Sequence, residues 1–492
     1  MHSALSLSNL EFLGSWWLLG EWIIRLLSLY VVPKNRKPSS GMAWLLLIFF
    51  FPPFGFLLFL ILGNPKLPKS RRDAQKTLNN VIEKTILGMK GHQKDGEIIK
   101  NVPEKFEQIA KLSESLSHLP PFGGNNIQII DDYDSIIKSI TADINLAKEF
   151  VHLEYFIIAM DGSTEPIFQA LESAINRGVQ VKVLFDSFST KKYANYRSMM
   201  KRLNTSGVIA VPMLPLKFPG RGYVRPDLRN HRKIVVIDGK VGYSGSQNLV
   251  QRNYHRKDDI YYDELVVKIE GPAVLQLGAI FLTDWFSETN KLLDYKKYTN
   301  QEREIKFPGK TIAQILPSGP GYEDENNLKL FTSLIHASKE RVILVNPYFV
   351  PDDSLLLAIT SAAKRGVEII LINSEAEDQW LVAHAQRSFY EILLKAGVKI
   401  FTYNKPVLLH SKFIVIDSEI VTVGSSNLDI RSFELDLEIT VIIYNKDIAE
   451  KLENLSRSYL ENSKQISLES WSKRSRRKIL LDNIARLTAS LQ

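Results

Sequence analysis

The chain has 492 residues, of which 45% are apolar and 24% charged, so it folds into two or three domains and is not an intrinsically disordered chain. Its 62 Lys and Arg against 54 Asp and Glu give a net charge of +8, which suits an anionic partner such as a phospholipid surface or a nucleic acid. Because the chain has no cysteine, disulfides, thiolate zinc sites and cysteine nucleophiles are excluded.

Two apolar stretches lie near the N-terminus, at residues 12–32 and 42–62. Each is about 20 residues long, the length at which a helix crosses a bilayer, and together they predict a transmembrane hairpin. A cleaved signal peptide is disfavoured, because no basic segment precedes the first stretch. Glu21 and Arg25 interrupt that stretch at an i,i+4 spacing and can pair on one helix face, so an interfacial first helix stays open. The Phe-Pro-Pro-Phe-Gly segment at 51–55 predicts a kink or a re-entrant second segment.

Flanking charge predicts the orientation of this hairpin. Three basic residues lie between the two stretches and five follow the second, namely Lys34, Arg36 and Lys37, then Lys66, Lys69, Arg71, Arg72 and Lys76. Lys and Arg concentrate on the cytoplasmic side of a membrane protein. We therefore expect a multi-pass membrane protein whose remaining domains lie in the cytoplasm.

After a charged connector at residues 67–120, the pattern changes to alternating strand-like and helical segments. The strand-like segments are short and rich in β-branched residues, and a helical segment lies between two of them; they are 150–156, 179–185, 233–237 and 265–269, with the helix at 167–176. This alternation is typical of an α/β fold.

The second half of the chain repeats the first. Asn-Arg-Gly-Val at 176–179 matches Lys-Arg-Gly-Val at 364–367, and Tyr-Phe at 155–156 matches Tyr-Phe at 348–349. Duplicated halves usually pack about a pseudo-twofold axis, which would bring matching motifs face to face. We predict two duplicated α/β domains at 121–290 and 311–470, a linker at 291–310 between them, and a basic tail at 471–492.

A His-x-Lys-x4-Asp pattern occurs once in each half. The two copies comprise His231, Lys233 and Asp238, and His410, Lys412 and Asp417. A Gly-Ser-x-Asn segment follows each copy, and Asn248 and Asn427 both lie 17 positions after their histidine. Two matched copies indicate one active site built from both halves. The glycines of these segments, Gly245 and Gly424, fit either a tight turn or a close approach of phosphate.

Strand periodicity separates the residues of each motif. On a strand, alternate residues share a face, so His231 and Lys233 would point one way while Asp238 has the opposite parity. The same reasoning applies to the second copy, including Asp417. We therefore interpret the two aspartates as supports for the turn that follows each strand, where Asp238-Gly239 is a hairpin signal.

Two imidazoles, two ammonium groups and two asparagine amides together predict a phosphodiester site. The lysines and the amides of Asn248 and Asn427 would bind the phosphoryl oxygens and stabilise the charge of the five-coordinate state. One neutral histidine can attack phosphorus while the other, protonated, donates to the leaving oxygen. This scheme requires no metal and no cofactor.

Each histidine needs a carboxylate to orient its other ring nitrogen. Glu264 and Glu438 stand at equivalent places in the two halves, each before an apolar strand, and we predict these two as the orienting residues. Asp263, next to Glu264, is the competing choice.

The C-terminal tail carries the basic run Lys-Arg-Ser-Arg-Arg-Lys at 473–478. Apolar residues follow it at helical spacing, including Leu480, Ile484 and Leu487. This pattern fits either a basic amphipathic helix at a membrane surface or a solvated helix.

The paired motifs resemble those of the phospholipase D superfamily, and nearly the whole chain resembles the bacterial cardiolipin synthases. The segments that carry the resemblance are 43–46, 62–65, 229–239, 269–274, 318–320, 347–352 and 424–434. The resemblance implies a phosphatidyltransferase of the bacterial cell membrane that converts two phosphatidylglycerol molecules into cardiolipin and glycerol. It implies that His231 becomes the phosphatidyl-histidine and that His410 is the acid and base.

Two alternatives share this chemistry. The same covalent intermediate would serve a phospholipase D-type hydrolase or a transferase that uses another headgroup alcohol. A nuclease of the superfamily also suits the basic charge, but the membrane hairpin argues against it. The expected partners are therefore phosphatidylglycerol and an anionic bilayer, and not a nucleic acid.

Overall fold

The computed structural model describes residues 2–34, 36–77, 102–193, 195–216, 223–255, 259–293 and 307–489. The chain divides into two compact units, one of residues 1–66 with 217–226 and one of residues 67–216 with 227–492. Residues 78–101 of the predicted connector and residues 294–306 of the predicted linker lie outside the described residues.

The described residues of the N-terminal unit form three helices, His2–Val31, Pro38–Phe50 and Pro52–Leu62. The second apolar stretch, predicted as one segment over 42–62, is broken at Phe51, because a proline that follows disfavours the helical conformation of the preceding residue. Across the residues that the structure describes, no helix is both long enough and apolar enough to cross a membrane.

The predicted pair of charges in the first helix is present. Arg25 Nη1 lies 3.2 Å from Glu21 Oε2, one turn apart on the helix. Arg25 Nε also donates to the carbonyl oxygen of Phe49 at 3.2 Å, and Trp17 Nε1 donates to Glu21 at 3.0 Å. The two charged side chains thus form an ion pair within this unit, and Arg25 links the first helix to the second.

The larger unit is built on a 16-stranded sheet. The strands of the first half are β1 (Phe122–Ile130), β2 (Phe150–Tyr155), β3 (Gln180–Asp186), β4 (Ile209–Met213), β5 (Arg229–Asn230), β6 (Ile234–Ile237), β7 (Val241–Gly245), β8 (Tyr261–Asp263) and β9 (Val266–Glu270). Those of the second half are β10 (Thr311–Ser318), β11 (Arg341–Val345), β12 (Phe349–Val350), β13 (Glu368–Ser374), β14 (Lys399–Tyr403), β15 (Val407–Leu409), β16 (Phe413–Ile416), β17 (Ile420–Gly424), β18 (Leu428–Asp429), β19 (Asp436–Tyr444) and β20 (Ser463–Ile466).

Helices connect these strands in both halves. They include Glu107–Ser117, Tyr133–Leu146, Glu165–Asn176, Ser187–Lys191, Tyr196–Ser206, Ala273–Thr289, Asn326–Ala337, Asp353–Lys364, Trp380–Ala396, Ile430–Glu434, Lys446–Glu461, Leu468–Ser472 and Arg476–Leu487. Several begin at a capping side chain: Asp132, Asp352 and Asn445 each accept a backbone N–H of the first turn. The predicted mixed α/β fold is confirmed.

Read outward from their junction, the two halves have the same order of seven strands, and the second half adds β20 at its edge. The first half runs β1-β9-β7-β6-β2-β3-β4 and the second runs β10-β19-β17-β16-β11-β13-β14-β20. The halves join where β1 and β10 pair antiparallel, with Phe122 opposite Ala313. The duplication therefore produces one continuous sheet.

The two halves also share an apolar core. Val267 of β9, Ile315 of β10 and Val441 of β19 belong to one cluster and are completely buried. Each side chain of this kind contributes about 1.5–3 kcal/mol when it leaves water. The two halves therefore share one hydrophobic core and belong to one compact unit.

One predicted match between the halves is shifted by two positions. The structure pairs Ile158 with Leu249 in the first half and Phe349 with Leu428 in the second. The two leucines directly follow the matched asparagines, so Phe349 corresponds to Ile158 and not to the Phe of Tyr-Phe at 155–156. The predicted Tyr-Phe match was therefore wrong: the two pairs share a sequence but do not occupy equivalent positions in the two halves.

Candidate active site

A short strand leads into each motif and pairs, in parallel, with the other half of the molecule. β5 pairs with β19, and β15 pairs with β8. The pairing continues into the motifs, because His231 N–H donates to Leu437 O at 2.8 Å and His410 N–H donates to Asp263 O at 2.7 Å. The carboxylate of Asp263 itself pairs with Arg252 at 2.8 Å. Each motif histidine thus lies beside a strand of the opposite half.

The strand predicted over 233–237 begins at Ile234. His231 and Lys233 therefore precede the strand, and the strand alternation used to place them on one face does not apply there. What positions them is the parallel pairing with the opposite half.

This pairing places each histidine against a glutamate of the other half. His231 Nδ1 lies 2.9 Å from Glu438 Oε1, and His410 Nδ1 lies 2.8 Å from Glu264 Oε2. All four side chains are buried. A carboxylate on Nδ1 holds the proton on that nitrogen and leaves the Nε2 of each ring to react. The structure therefore places the predicted carboxylates Glu264 and Glu438 at the imidazoles, with the partners exchanged between halves.

Two serines that were absent from the predicted site hold these glutamates. Ser246 Oγ donates to Glu264 Oε2 at 2.5 Å, and Ser425 Oγ donates to Glu438 Oε2. Both are the Ser of the repeated Gly-Ser-x-Asn segment, so the repeat itself contained the signal. Each half thus contributes a serine and a glutamate that orient the histidine of the other half.

The two motif lysines fold back onto their own motifs. Lys233 Nζ donates to the carbonyl oxygen of His231 at 2.7 Å, and Lys412 Nζ donates to that of His410 at 2.7 Å. Burial lowers the pKa of Lys233 to about 7 and that of Lys412 to about 8. An adjacent anion favours the charged ammonium, so these lysines are suited to binding a phosphate group.

The two His–Glu pairs differ in their electrostatics. Burial, and then the charge of Lys233, lowers the pKa of His231 well below its usual value, whereas burial lowers that of His410 to about 4 against the opposing effect of Glu264. Burial raises the pKa of Glu438 to about 7. Burial also raises the pKa of Glu264, but the interactions with His410 and Lys412 outweigh burial and lower this pKa to about 2.

Two tyrosines and one aspartate surround His410. The rings of Tyr262 and Tyr348 lie 5.4 Å and 6.4 Å from the imidazole, both edge-on. Both hydroxyls donate to Asp378 Oδ2, at 2.9 Å and 2.7 Å. Sequence reasoning missed all three residues.

The predicted phosphate-binding asparagines are buried beside the motifs. Asn248 Nδ2 donates to the hydroxyl of Tyr254 at 3.2 Å. Within the described part of the chain, the Oδ1 atoms of Asn248 and Asn427 are buried without a hydrogen-bond partner. Their contact with phosphate stays a prediction.

Gly245 and Gly424 each lie so close to a neighbouring strand that a residue with a Cβ would not fit. A Cβ at Gly245 would lie 2.3 Å from Leu265 O, and one at Gly424 would lie 2.2 Å from Ile439 O. Both glycines end a strand that pairs with β9 or β19, next to the serines that hold the glutamates. The close approach seen at both glycines is therefore to protein backbone, and an approach of phosphate stays a prediction.

The motif aspartates accept backbone N–H groups of an adjacent segment. Asp238 accepts the backbone N–H groups of Lys148, Glu149 and Phe150 at 2.8–2.9 Å. Asp417 accepts those of Lys339, Glu340 and Arg341 at 2.8–3.2 Å. The predicted supporting role fits this geometry, but the target differs: each aspartate ties its strand to the start of the adjacent strand, and not to the turn that follows.

Asp238→Ala is expected to lower the free energy of unfolding by on the order of 2 kcal/mol, because three backbone N–H groups lose their acceptor and that of Phe150 is buried. The thermal unfolding midpoint of the purified protein measures this effect. Glu450→Ala, on the exposed face of helix Lys446–Glu461, is the control and should leave the midpoint nearly unchanged. Equal midpoints for the two variants would contradict the supporting role.

Comparison with known proteins identifies the family of the chain. The family described as cardiolipin synthase, PLD-like domain, matches residues 140–285 and 331–459, which together exceed half of the chain. The chain belongs to the cardiolipin synthase family. A second family, described as phospholipase D-nuclease N-terminal, matches residues 22–64.

Cardiolipin synthase A of Wigglesworthia glossinidia brevipalpis is 34% identical over 469 residues, covering 94% of this chain and 92% of that protein. Cardiolipin synthase A of Pectobacterium carotovorum subsp. carotovorum is 32% identical over 464 residues, covering 93% and 94%. The predicted enzyme class, a phosphatidyltransferase of the cardiolipin synthase type, is confirmed.

The crystal structure of phosphatidylserine synthase from Haemophilus influenzae Rd KW20 has a similar fold. The TM-score is 0.59 at 16% sequence identity, over 77% of this chain and 98% of that one. At this identity the likeness concerns the fold alone.

Proposed function

We propose that this cardiolipin synthase family enzyme joins two phosphatidylglycerol molecules into cardiolipin and releases glycerol. The observation that carries the proposal is the pair of buried imidazoles, each held through Nδ1 by a glutamate of the other half, with two lysines beside them. This set can form and cleave a phosphorus–nitrogen bond at a phosphodiester. The lipid substrate is the one that membership of the family suggests.

In the first step, Nε2 of His231 attacks the phosphorus of one phosphatidylglycerol. The bond between phosphorus and the headgroup glycerol oxygen breaks, and His410 Nε2–H gives its proton to that oxygen. Glycerol leaves, and the phosphatidyl group stays on His231. Lys233 and Lys412 bind the phosphoryl oxygens and stabilise the charge that grows in the transition state.

In the second step, the free headgroup hydroxyl of another phosphatidylglycerol gives its proton to His410 Nε2 and attacks the same phosphorus. The phosphorus–nitrogen bond breaks, cardiolipin leaves, and both imidazoles return to their starting protonation states. One histidine thus serves as nucleophile and the other as acid and then base.

The electrostatic difference between the two pairs supports this assignment of roles. Glu264, with a pKa near 2, is an anion and favours a positive charge on His410. Glu438, whose pKa burial raises to about 7, favours a positive charge on His231 less strongly. A neutral His231 is the better nucleophile, and His410 is the better carrier of the proton.

The test is product analysis by lipid mass spectrometry. Purified enzyme with phosphatidylglycerol vesicles should release cardiolipin and glycerol in equal amounts, and chelators should leave the rate unchanged. Phosphatidic acid without cardiolipin would establish the hydrolase alternative and contradict the proposal.

An alkaline limb of kcat/KM is expected between pH of about 7 and 8, in addition to the fall at lower pH where His410 loses its proton. Lys233 and Lys412, with pKa values of about 7 and 8, lose their protons there, and a neutral amine no longer stabilises the phosphoryl oxygens. A guanidinium stays protonated at this pH, so Lys233→Arg should move the limb upward toward the pKa of Lys412. A limb that does not move in an active Lys233→Arg variant would show that another group controls it.

We also propose that the N-terminal helices sit in the bacterial cell membrane as a hairpin and that the larger unit lies on the cytoplasmic side. Support comes from the excess of basic residues after the second apolar stretch and from exposed large apolar side chains of the N-terminal unit, namely Trp16, Trp17, Leu26, Phe50 and Leu60. In cells, a membrane-impermeant maleimide should label Leu146→Cys only after the cells are opened. Labelling of intact cells would show that the larger unit lies on the opposite side of the membrane.

A further inference from the structure

The C-terminal helix, Arg476–Leu487, turns its apolar side outward. Leu487 is 82% exposed and Leu480 is 60% exposed, and Leu481 and Ile484 on the same side are exposed as well. Asp482, on the opposite side, is only 1% exposed. A helix that merely packs on its own protein shows the reverse, with apolar residues inward and charges outward.

Charged hydrogen bonds hold the helix in this orientation. Asp482 accepts from His384 Nδ1 at 2.6 Å and from Arg474 Nη1 at 2.5 Å. Arg387 Nε lies 3.6 Å from the same carboxylate. Turning the apolar side inward would leave this buried carboxylate without its partners, so the outward orientation is built into the fold.

A neighbouring helix extends the exposed apolar side. Trp380, 58% exposed, and Leu381 begin the helix Trp380–Ala396. The Trp380 ring lies 4.4 Å from the ring of His384, which binds Asp482 of the C-terminal helix. The two packed helices thus both carry exposed apolar side chains, and we call this set the outer apolar surface; it comprises Trp380, Leu381, Leu480, Leu481, Ile484 and Leu487.

Positive charge borders this surface. Arg476, Arg477 and Lys478 form the first turn of the C-terminal helix and are exposed. Cations at a helix N-terminus oppose the helix dipole, so they do not stabilise the helix itself. Apolar side chains beside exposed cations fit a bilayer of anionic phospholipids, where the cations meet headgroups and the apolar residues enter the acyl boundary.

A cavity lined in part by the helix that carries Trp380 also has Tyr348, a neighbour of His410, on its wall. The cavity has a volume of about 200 Å³, far more than the ~15 Å³ that one water needs. Its lining includes Val382 and Arg387 from the helix that carries Trp380, together with Tyr348 and Asp378. The ring of Tyr348 is 6.4 Å from that of His410.

We infer that the outer apolar surface docks onto an anionic phospholipid bilayer and brings the cavity beside His410 to the lipid. The inference rests on the proposed lipid substrate and adds a second membrane contact, separate in sequence from the N-terminal apolar stretches. It also selects one of the two predicted alternatives for the tail, the amphipathic helix at a membrane surface.

The chain contains no cysteine, so a single introduced one can carry an environment-sensitive fluorophore. The full-length protein is bound to vesicles containing phosphatidylglycerol. The fluorescence emission of a label at Leu487→Cys should then shift to shorter wavelength. Dissolved iodide should quench this emission less, and nitroxide-labelled lipids should quench it more. The matched control is Leu146→Cys, on helix Tyr133–Leu146 and 73% exposed, which should keep the signal of a label in water. A Leu487→Cys signal equal to the control, or a shift that appears without vesicles through contact with a second copy, would overturn the inference.

A second experiment separates docking from catalysis. Changing Leu480, Ile484 and Leu487 to serine should raise the apparent KM on phosphatidylglycerol vesicles and leave turnover of phosphatidylglycerol dissolved in detergent micelles unchanged. The matched control changes Leu146, Ile209 and Leu357, exposed leucine and isoleucine residues elsewhere on the larger unit, to serine and should alter neither. Equal effects of the two triple variants on vesicles would overturn the docking surface. Failure of the unaltered enzyme to make cardiolipin in either preparation would instead overturn the proposed function.

Discussion

His231→Ala and His410→Ala are each expected to lower cardiolipin formation by at least about 10³-fold, because each removes a group that forms a bond or moves a proton in the transition state. Both imidazoles are buried at the junction of the halves and are held by a glutamate of the opposite half. The loss should appear in kcat, measured as cardiolipin produced from phosphatidylglycerol.

An activated substrate distinguishes the two histidines. A phosphatidyl ester of p-nitrophenol has a leaving group that departs without a proton, so it bypasses the acid. On this substrate, His410→Ala should release one equivalent of nitrophenolate and then stop, since the base for the second step is missing. His231→Ala should release none. Mass spectrometry of the His410→Ala protein should locate the phosphatidyl group on His231.

The control for these variants is His336→Ala, on the exposed side of helix Asn326–Ala337. All three proteins should unfold at similar temperatures, which shows that a lost activity is not lost folding. A one-equivalent burst from His231→Ala and none from His410→Ala would exchange the roles of the two histidines. Activity that survives either substitution would refute a shared site.

Repetition in the sequence identified the residues of the candidate site. Both copies of the motif retain a histidine, a lysine and an aspartate, and the Gly-Ser-x-Asn segments recur at the same distance. The choice of Glu264 and Glu438 also came from equivalent places in the two halves, and the structure puts both at the imidazoles. The break in the second apolar stretch followed from the restriction that proline imposes on its neighbour.

The exchange of glutamates between halves was beyond the sequence. It depends on β5 and β15, which are only two and three residues long and pair in parallel with strands of the opposite half. Segments this short carry no periodic pattern, and parallel pairing of distant segments leaves no local signal. Reasoning within one half could find the carboxylates but not assign them to their histidines.

Residues without a counterpart in the other half were missed for a related reason. By strand register, the position of Tyr262 in β8 corresponds to Asp436 in β19, so no repeated tyrosine draws notice to it. Tyr348 and Asp378 likewise lie in segments between strands. The surroundings of His410 thus come from the part of the molecule in which the two halves have diverged.

Glu438→Gln and Glu264→Gln test the exchanged pairing directly. Each should lower cardiolipin formation by about 10²–10³-fold, because an amide neither holds the correct tautomer of the imidazole nor stabilises its positive charge. Glutamine keeps the size of the side chain and an oxygen that accepts from Ser425 or Ser246, so the fold should persist. The thermal unfolding midpoint checks this point.

The activated substrate again separates the two variants. Because Glu438 holds His231, the proposed nucleophile, Glu438→Gln should slow the burst of nitrophenolate itself. Because Glu264 holds the acid and base His410, Glu264→Gln should retain a rapid burst and lose the turnover that follows. If each glutamate served the histidine of its own half, the two results would be exchanged, since Glu264 would then support His231. The kinetic phase that each variant loses therefore reports which half of the chain orients which imidazole.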